Sequence, residues 1–477
     1  MLRPKFDPAP EHKVMINIGA GLDIPTGHNV FGLHGESIIN GGLGLLTGVV
    51  GIGNNFKSTV MDYMMLAAMD RIACMTETSG TTYDTELNRQ APRMTAMSQK
   101  FDSFRDKDIV DDGTWLLSDK TQYYADPWYE ILKQFLRDKR DNAKKLTVAT
   151  PFMTKDGKPF EILVPTYTSV DSFTLFETEN IAKIQDENLL GDSGGNVIHM
   201  RQGLAKTRFM MEIPATAARA QHYVLLTAHM GKDLNIASGP IPQAPVKKLQ
   251  HLKNGDKIKG VTDQFFFLLS NCWHAYNASP LLNQTTKGPE YPLYPDDAMT
   301  GDLDLNQVSL RQLRGKSGMT GFVHTLLVSQ SEGVLPSLTE FHYLKDQCDR
   351  FGISGSNSNY SLDLYPSLKL SRPTIRSKIN HDAKLRRALN ITSELAQMQH
   401  FWRYLKDEDM LCTPQQLFED LTKLGWDWDV LLTTRGWWTV NNELHPVPFL
   451  STMDLLRMRK GLYHPYWAGD DKLPRAR

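Results

Sequence analysis

The residues Gly51-Ile52-Gly53-Asn54-Asn55-Phe56-Lys57-Ser58-Thr59 have the types and spacing to wrap a polyphosphate. Gly51 and Gly53 let the backbone turn its N–H groups inward, Asn54, Asn55 and Phe56 complete the turn, and Thr59 opens a helix whose positive end favours an anion. Lys57 then reaches the β and γ phosphates of ATP, and the Ser58 hydroxyl holds Mg²⁺. The pattern is G-x-x-x-x-G-K-[ST] with Phe56 in the second glycine position. A glycine-bearing turn that opens a helix without any ligand is the alternative for this segment taken alone.

In open α/β sheets ligands sit beyond the carboxyl ends of the strands, so polar residues at those ends carry the next expectations. Asp171 closes the run Thr-Ser-Val-Asp and is the candidate to hold the metal with Ser58, the Walker B role; the fragment alone reads equally as a helix N-cap. Glu86, in Tyr-Asp-Thr-Glu, is the candidate base that orients and deprotonates the attacking water, against a solvated loop carboxylate. His229 ends the run YVLLTAH and is the candidate sensor of the γ phosphate, against an ordinary structural histidine.

These groups need strands and helices to place them. LGLLTGVV (43–50) reads as a short buried strand and VMDYMMLAAMDRI as the helix that follows the turn. Further strands are expected at 72–75, 166–170, 223–228 and 264–269, an amphipathic helix at 127–145, an inserted hairpin at 155–165, and a tightly turned hairpin around the RGKSG of residues 314–318. Strands alternating with long connections predict an α/β fold with a mainly parallel central sheet flanked by helices. Residues 1–30 read as an N-terminal arm and oligomerisation segment, 31–338 as the core, and 339–477 as a smaller, mainly helical C-terminal domain. In that last part GWDWDVLLTTRGWWTV supplies aromatic bulk for a core.

Lys and Arg total 53 against 54 Asp and Glu, a balance that excludes a uniformly basic nucleic-acid coat and makes any such contact local. Cys74, Cys272, Cys348 and Cys412 form no C-x-x-C pair and no disulfide framework, which fits a reducing cytoplasm. The longest apolar stretch, 41–53, is too short for a bilayer, and the first residues lack an apolar signal region, so a soluble cytoplasmic protein without membrane contact is expected.

With these pieces in order, the chain resembles the RecA family of P-loop ATPases, and within it the phage strand-exchange recombinases of the UvsX type. The resemblance rests on Phe56-Lys57-Ser58, Tyr83-Asp84-Thr85-Glu86, Val170-Asp171-Ser172, Thr227-Ala228-His229 and the segment around Arg314-Gly315-Lys316, in order over about residues 35 to 335. It implies a RecA-like core, ATP and Mg²⁺ as cofactors, DNA-dependent ATP hydrolysis, and a homo-oligomer, filament or ring, that holds single-stranded and duplex DNA near its axis. Arg314 and Lys316 match basic residues that in this family reach across the subunit interface to the γ phosphate, as an arginine finger does. A solubilising basic turn is the alternative for that pair.

Two DNA loops are implied, 178–205 with the basic residues Arg201, Lys206 and Arg208 in or just after it, and 231–260 with Lys232, Lys247, Lys248 and Lys253. The second follows His229 directly, a route by which nucleotide state can control phosphate-backbone affinity. Phe6-Asp-Pro-Ala9 fits an F-x-x-A docking pattern. The implied activity is homologous pairing and strand exchange on single-stranded DNA, in a bacterial host cytoplasm for a phage protein, with single-strand-binding and mediator proteins as further partners. A hexameric replicative helicase shares this core, although only about 30 irregular residues precede it where helicases usually carry a primase-interaction domain. A non-catalytic scaffold that retains a P-loop-like turn is the third reading.

Overall fold

The computed structural model describes residues 13–187, 195–232, 249–253, 255–294, 301–316, 318–356, 358–401 and 408–469. The Phe6 to Ala9 motif, Lys247 and Lys248 lie outside the described residues. After a hairpin of β1 (His28–Phe31) and β2 (Ser37–Asn40), the chain runs through β3 (Leu46–Gly51), α1 (Lys57–Ala73), β4 (Gly80–Asp84), α2 (Ala91–Ser98), β5 (Trp115–Asp119), α3 (Ala125–Asp141) and α4 (Ala143–Leu146). A second hairpin, β6 (Thr147–Met153) with β7 (Pro159–Leu163), stands where the inserted one was expected, and β8 (Thr166–Asp171), α5 (Glu179–Glu187), α6 (Gly195–Ala220), β9 (His222–Lys232), β10 (Asp256–Ile258) and α7 (Asp263–Leu268) follow. Next come β11 (Asn271–Pro280), β12 (Leu305–Gly315), β13 (Val323–Ser329), β14 (Gly333–Val334) and α8 (Pro336–Asp346). The C-terminal part holds β15 (Ile353–Ser356), β16 (Asn359–Leu362), β17 (Tyr365–Leu370), α9 (Ile375–His381), α10 (Ala383–His400), α11 (Pro414–Lys423), α12 (Trp428–Leu431) and α13 (Thr452–Arg459).

The central sheet has the order β5-β4-β8-β9-β3-β11-β12-β13-β14, with β10 added to the end of β9. From β5 to β11 all neighbours are parallel, and β12 to β14 are antiparallel. Every residue of β3 and β8 is buried, as expected for parallel strands covered on both faces. α1 is apolar around most of its circumference and buried from Thr59 to Met69, so it packs inside the layer structure; α3 buries the face that carries Ala125, Trp128, Tyr129, Leu132, Leu136 and Lys139 and leaves a wet face. Register then fixes the chemistry. Gly51 pairs His229, and Asp84 pairs Asp171, so the tips of β3, β9, β4 and β8 meet at one edge of the sheet.

Several expectations fail for identifiable reasons. Residues 72–75 do not form a strand, because Ile72 continues the buried face of α1 and the strand begins only at Gly80. The aromatic run at 264–269 is the short helix α7, with Phe265 buried and Phe267 exposed, and the buried strand starts at Asn271. The β12–β13 hairpin is wide rather than tight: their last pair is Arg311 with Val323, while β12 runs on to Gly315 against β11 alone.

Residues 13–30 are not an arm. Val14, Ile16, Ile18, Ala20 and Leu22 lie in the largest core cluster, and Ile16 bridges Leu43. The same cluster takes in Trp438, Val440 and Phe449, with Trp438 Nε1 donating to Met15 O (3.2 Å). A second core joins α8 to α13 with Ile24, Ile39, Leu305 and Leu327, so the hydrophobic interior is continuous across residue 339, and a three-stranded antiparallel sheet, β15-β16-β17, stands within the part expected to be mainly helical. Among the described residues no helix is long and apolar enough to cross a membrane.

Candidate functional site

The turn between β3 and α1 is shaped by close backbone approach. A Cβ on Gly51 would sit 2.5 Å from Ala275 O, so only glycine fits beside β11, and Asn55 Nδ2 donates to the same carbonyl at 2.9 Å. Asn54 and Phe56 have left-handed backbones, φ 61° and 56°. The second glycine of the sequence pattern is therefore a conformational requirement that Phe56 meets at a cost of about 1 kcal/mol, offset by packing its ring against the main core. Ile52, Gly53 and Asn54 are exposed, whereas Lys57 is buried and curls back to donate to Ile52 O at 2.8 Å. Burial pushes the Lys57 ammonium below its ordinary pKa, and the charges of Asp171 and Glu86 oppose that shift.

Asp171 is the hub. Its Oδ2 accepts from Ser58 Oγ at 2.6 Å and from Arg89 Nη2 at 2.7 Å, and its Oδ1 accepts from Thr227 Oγ1. Burial raises the pKa of this carboxyl, but the Arg89 charge and the two hydroxyl donors outweigh it and hold the group below the ordinary carboxylate value, ionised. The N-cap alternative does not describe Asp171: its oxygens go to side chains from α1, β9 and the 85–89 turn. Glu86 Oε1 lies 2.6 Å from His229 Nε2, so base and sensor candidates touch.

The 85–89 turn that carries Glu86 is organised by Asp84. One carboxylate oxygen accepts the N–H of Glu86 and Leu87 (2.9 Å each), the other those of Asn88 and Arg89 (2.8 Å each). Thr85 N–H closes onto Asp171 O at 2.8 Å. Glu86 and Arg89 thus leave a rigid turn in two directions, one toward His229 and one toward Asp171 and Asp62.

These residues fit a magnesium nucleotide. A hydroxyl and an ionised carboxylate in contact suit a hard cation that takes its remaining oxygens from phosphate and water, for which no cluster of three acidic or imidazole ligands is needed; among the described residues there is none. The exposed residues 52–54 lead into the start of a 17-residue helix that opens at Lys57, where backbone N–H groups and the helix dipole favour an anion. A wide cavity of about 1040 Å³ opens elsewhere, at the amino ends of β4, β5 and β8, lined by Thr78, Lys139 and Thr166 among others, and it contains none of this chemistry.

The remaining candidates separate. Arg314 and Lys316 sit at the opposite edge of the sheet: Arg314 pairs Cys272, three residues ahead of Ala275, which pairs Gly51, roughly 10 Å along the strand. Arg314 donates to Leu269 O and Phe267 O, both at 2.9 Å, so neither residue reaches Lys57 of its own chain. Arg201, Lys206 and Arg208 lie on the 26-residue helix α6 rather than in a loop. Lys206 is withdrawn from solvent, its ammonium donating to Thr174 O (2.6 Å) and Gly260 O (2.7 Å), which corrects its assignment to DNA. Arg201 is exposed; Arg208 is exposed and paired with Glu212 at 2.7 Å. Lys232 and Lys253 are exposed on either side of residues 233–248, on a ribbon in which β10 returns along β9 and Lys259 N–H donates to His229 O at 2.8 Å.

Sequence reasoning missed Asp62 and Arg89, and gave Asp84 and Thr227 no role beyond their place in motifs. Asp62 carried a signal, a lone carboxylate in the otherwise apolar run VMDYMML, since a buried charge needs a partner; Arg89 looked like any loop cation. No protein-family model matches the chain, and no curated protein matches it.

Proposed function

We propose that this protein is a DNA-dependent ATPase with a RecA-like core that assembles on single-stranded DNA and promotes homologous pairing and strand exchange, as the resemblance to UvsX-type recombinases implies. The observation that carries the ATPase part is the convergence on one sheet edge of the Gly51 to Thr59 turn, the Ser58–Asp171 pair and the Glu86–His229 pair. Bound Mg²⁺ would neutralise developing phosphate charge; Lys57 would swing from Ile52 O to the phosphates, and Glu86 would orient and deprotonate the attacking water.

Two placements support the DNA part. His229 joins Glu86 through its ring and the β9–β10 ribbon through its carbonyl, so a change at the γ phosphate has a covalent path to the basic segment beyond Lys232. Arg314 and Lys316 lie at the far end of β11 from their own phosphate turn, which leaves them to act on a neighbouring copy. Burial and the charges of Arg314 and Lys13 lower the Lys316 pKa, an arrangement of cations that an incoming phosphate would relieve.

The test is hydrolysis with and without single-stranded DNA, together with negative-stain imaging in a non-hydrolysable ATP analogue. Lys57→Ala is expected to lower DNA-stimulated hydrolysis by at least about a hundredfold, and helical filaments are expected on DNA. Closed rings would favour the helicase reading, and hydrolysis untouched by Lys57→Ala would leave only the scaffold.

A further inference from the structure

Arg89 is placed to do more than fill space. Its side chain is 8% exposed and bridges two carboxylates, Asp171 Oδ2 at 2.7 Å and Asp62 Oδ2. Asp62 stands one helical turn beyond Ser58 on α1, itself 2% exposed, and among the described residues Arg89 is the basic group in direct contact with it. The oxygen that Arg89 holds on Asp171 is the one that accepts from Ser58. Burial pushes the Asp62 carboxyl up to about 6 against the pull of Arg89, so near neutral pH this carboxylate still shares the guanidinium.

We propose that Arg89 is a positioning residue that acts as an internal counter-cation: it competes with the metal for Asp171, and Asp62 sets how hard it competes. The inference rests on the reading of Ser58 and Asp171 as the metal site. Without metal, the Arg89 guanidinium holds the Asp171 carboxylate oxygen in place of a dication. When the metal arrives beside Ser58, like charges only a few ångströms apart disfavour each other, and Asp62 supplies the alternative partner toward which the guanidinium shifts its weight. No bond is made or broken. The consequence is a site that binds the bare cation poorly and fills only when phosphate oxygens contribute.

Opposite signs distinguish this role from a scaffolding one. Arg89→Gln removes the competitor, so Mn²⁺ titrated against the full chain without nucleotide, with free ion read by electron paramagnetic resonance, is expected to bind about tenfold tighter than in the parent chain. Asp62→Asn leaves Arg89 wholly to Asp171 and is expected to weaken Mn²⁺ binding by a similar factor, about tenfold. A merely structural salt bridge would loosen the site and weaken metal binding in both variants, and that result overturns the proposal. If Arg89→Gln does not fold by circular dichroism, the double variant Arg89→Gln/Asp62→Asn, which leaves Asp62 without a buried charge, takes its place: Mn²⁺ binding tighter than in Asp62→Asn supports the inference, and binding equal to or weaker than in Asp62→Asn overturns it. Asp171→Asn separates the two levels. Mn²⁺ binding that survives Asp171→Asn removes the metal-site reading itself, whereas loss in Asp171→Asn without gain in Arg89→Gln removes only the role of Arg89.

Discussion

Asp84 shows how one carboxylate can set the geometry of a whole turn. Four consecutive N–H groups, from Glu86 to Arg89, converge on it, and Leu87 between them takes a left-handed φ of 58°. Losing the side chain orphans those donors in a half-buried turn, a loss of about 1–3 kcal/mol. Asp84→Ala is therefore expected to lower the urea midpoint and, on the proposed function, to reduce the turnover of ATP far more than the affinity for a fluorescent ATP analogue, because the turn at 51–56 is held independently by Asn55 and Ala275. Equal losses in turnover and affinity would show that the two turns are not separate units. Phe56→Gly makes the complementary case: the left-handed backbone is relaxed but core packing is lost, so nucleotide affinity should hold while the melting temperature falls.

At the level of elements, what was legible in the sequence was what is local. The strand, turn and helix from Leu46 to Ala73 could be read because their apolar pattern and glycines are contiguous, and Asp171, Glu86 and His229 could be nominated because each closes or follows a β-branched or apolar run. What the sequence could not convey depends on long-range pairing. Arg89 meets Asp171 across 82 residues, and Trp438 closes on Asn17 across 421, so the first went unnamed and the N-terminal segment, full of Pro and Gly, looked like a free arm. Propensity misled at α7, where three phenylalanines suggested a strand but a short helix buries one of them and the next strand takes the sheet position. α6 gives a test of the same distinction between face and composition. Lys206→Met removes donors from Thr174 O and Gly260 O inside the fold and is expected to destabilise by about 1–2 kcal/mol in urea, with no change in the salt dependence of single-stranded DNA binding. Arg201→Ala, on the exposed side of the same helix, is expected to leave stability alone and to make the logarithmic salt slope shallower by nearly one unit. The reverse pattern would put Lys206 on the DNA.

The molecule as a whole is closed by polar groups as well as by the three hydrophobic cores of its described residues. Where the N-terminal segment, α8 and α10 meet, Asp23, Glu340 and Glu394 are all buried, with Arg71, Arg387 and Asn390 around them. Asp23 accepts the N–H groups of Ile18 and Gly19 at 2.8 and 2.9 Å, and Glu394 accepts from Asn390 Nδ2 at 3.1 Å and from Thr452. Burial, then the neighbouring Glu394 charge, pushes Glu340 up to about 8 from an ordinary 4.5, and burial pushes Asp23 up to about 7. Between those limits the folded chain keeps protons that the unfolded chain has released, so stability falls as pH rises from about 4.5 through 8 and the penalty is fully present above that. Glu340→Gln removes the ionisation and keeps the shape. It is expected to be more stable than the parent chain by about 1–3 kcal/mol in urea at pH 8.5, a gain that shrinks to nothing near pH 4.5. Because Glu340 lies on the element that joins the central sheet to the C-terminal helices, the same variant should show one unfolding transition whether followed by tryptophan fluorescence or by circular dichroism. Two separated transitions, or a gain that does not depend on pH, would mean that this buried cluster neither titrates on folding nor ties the central sheet and the C-terminal helices into one cooperative unit.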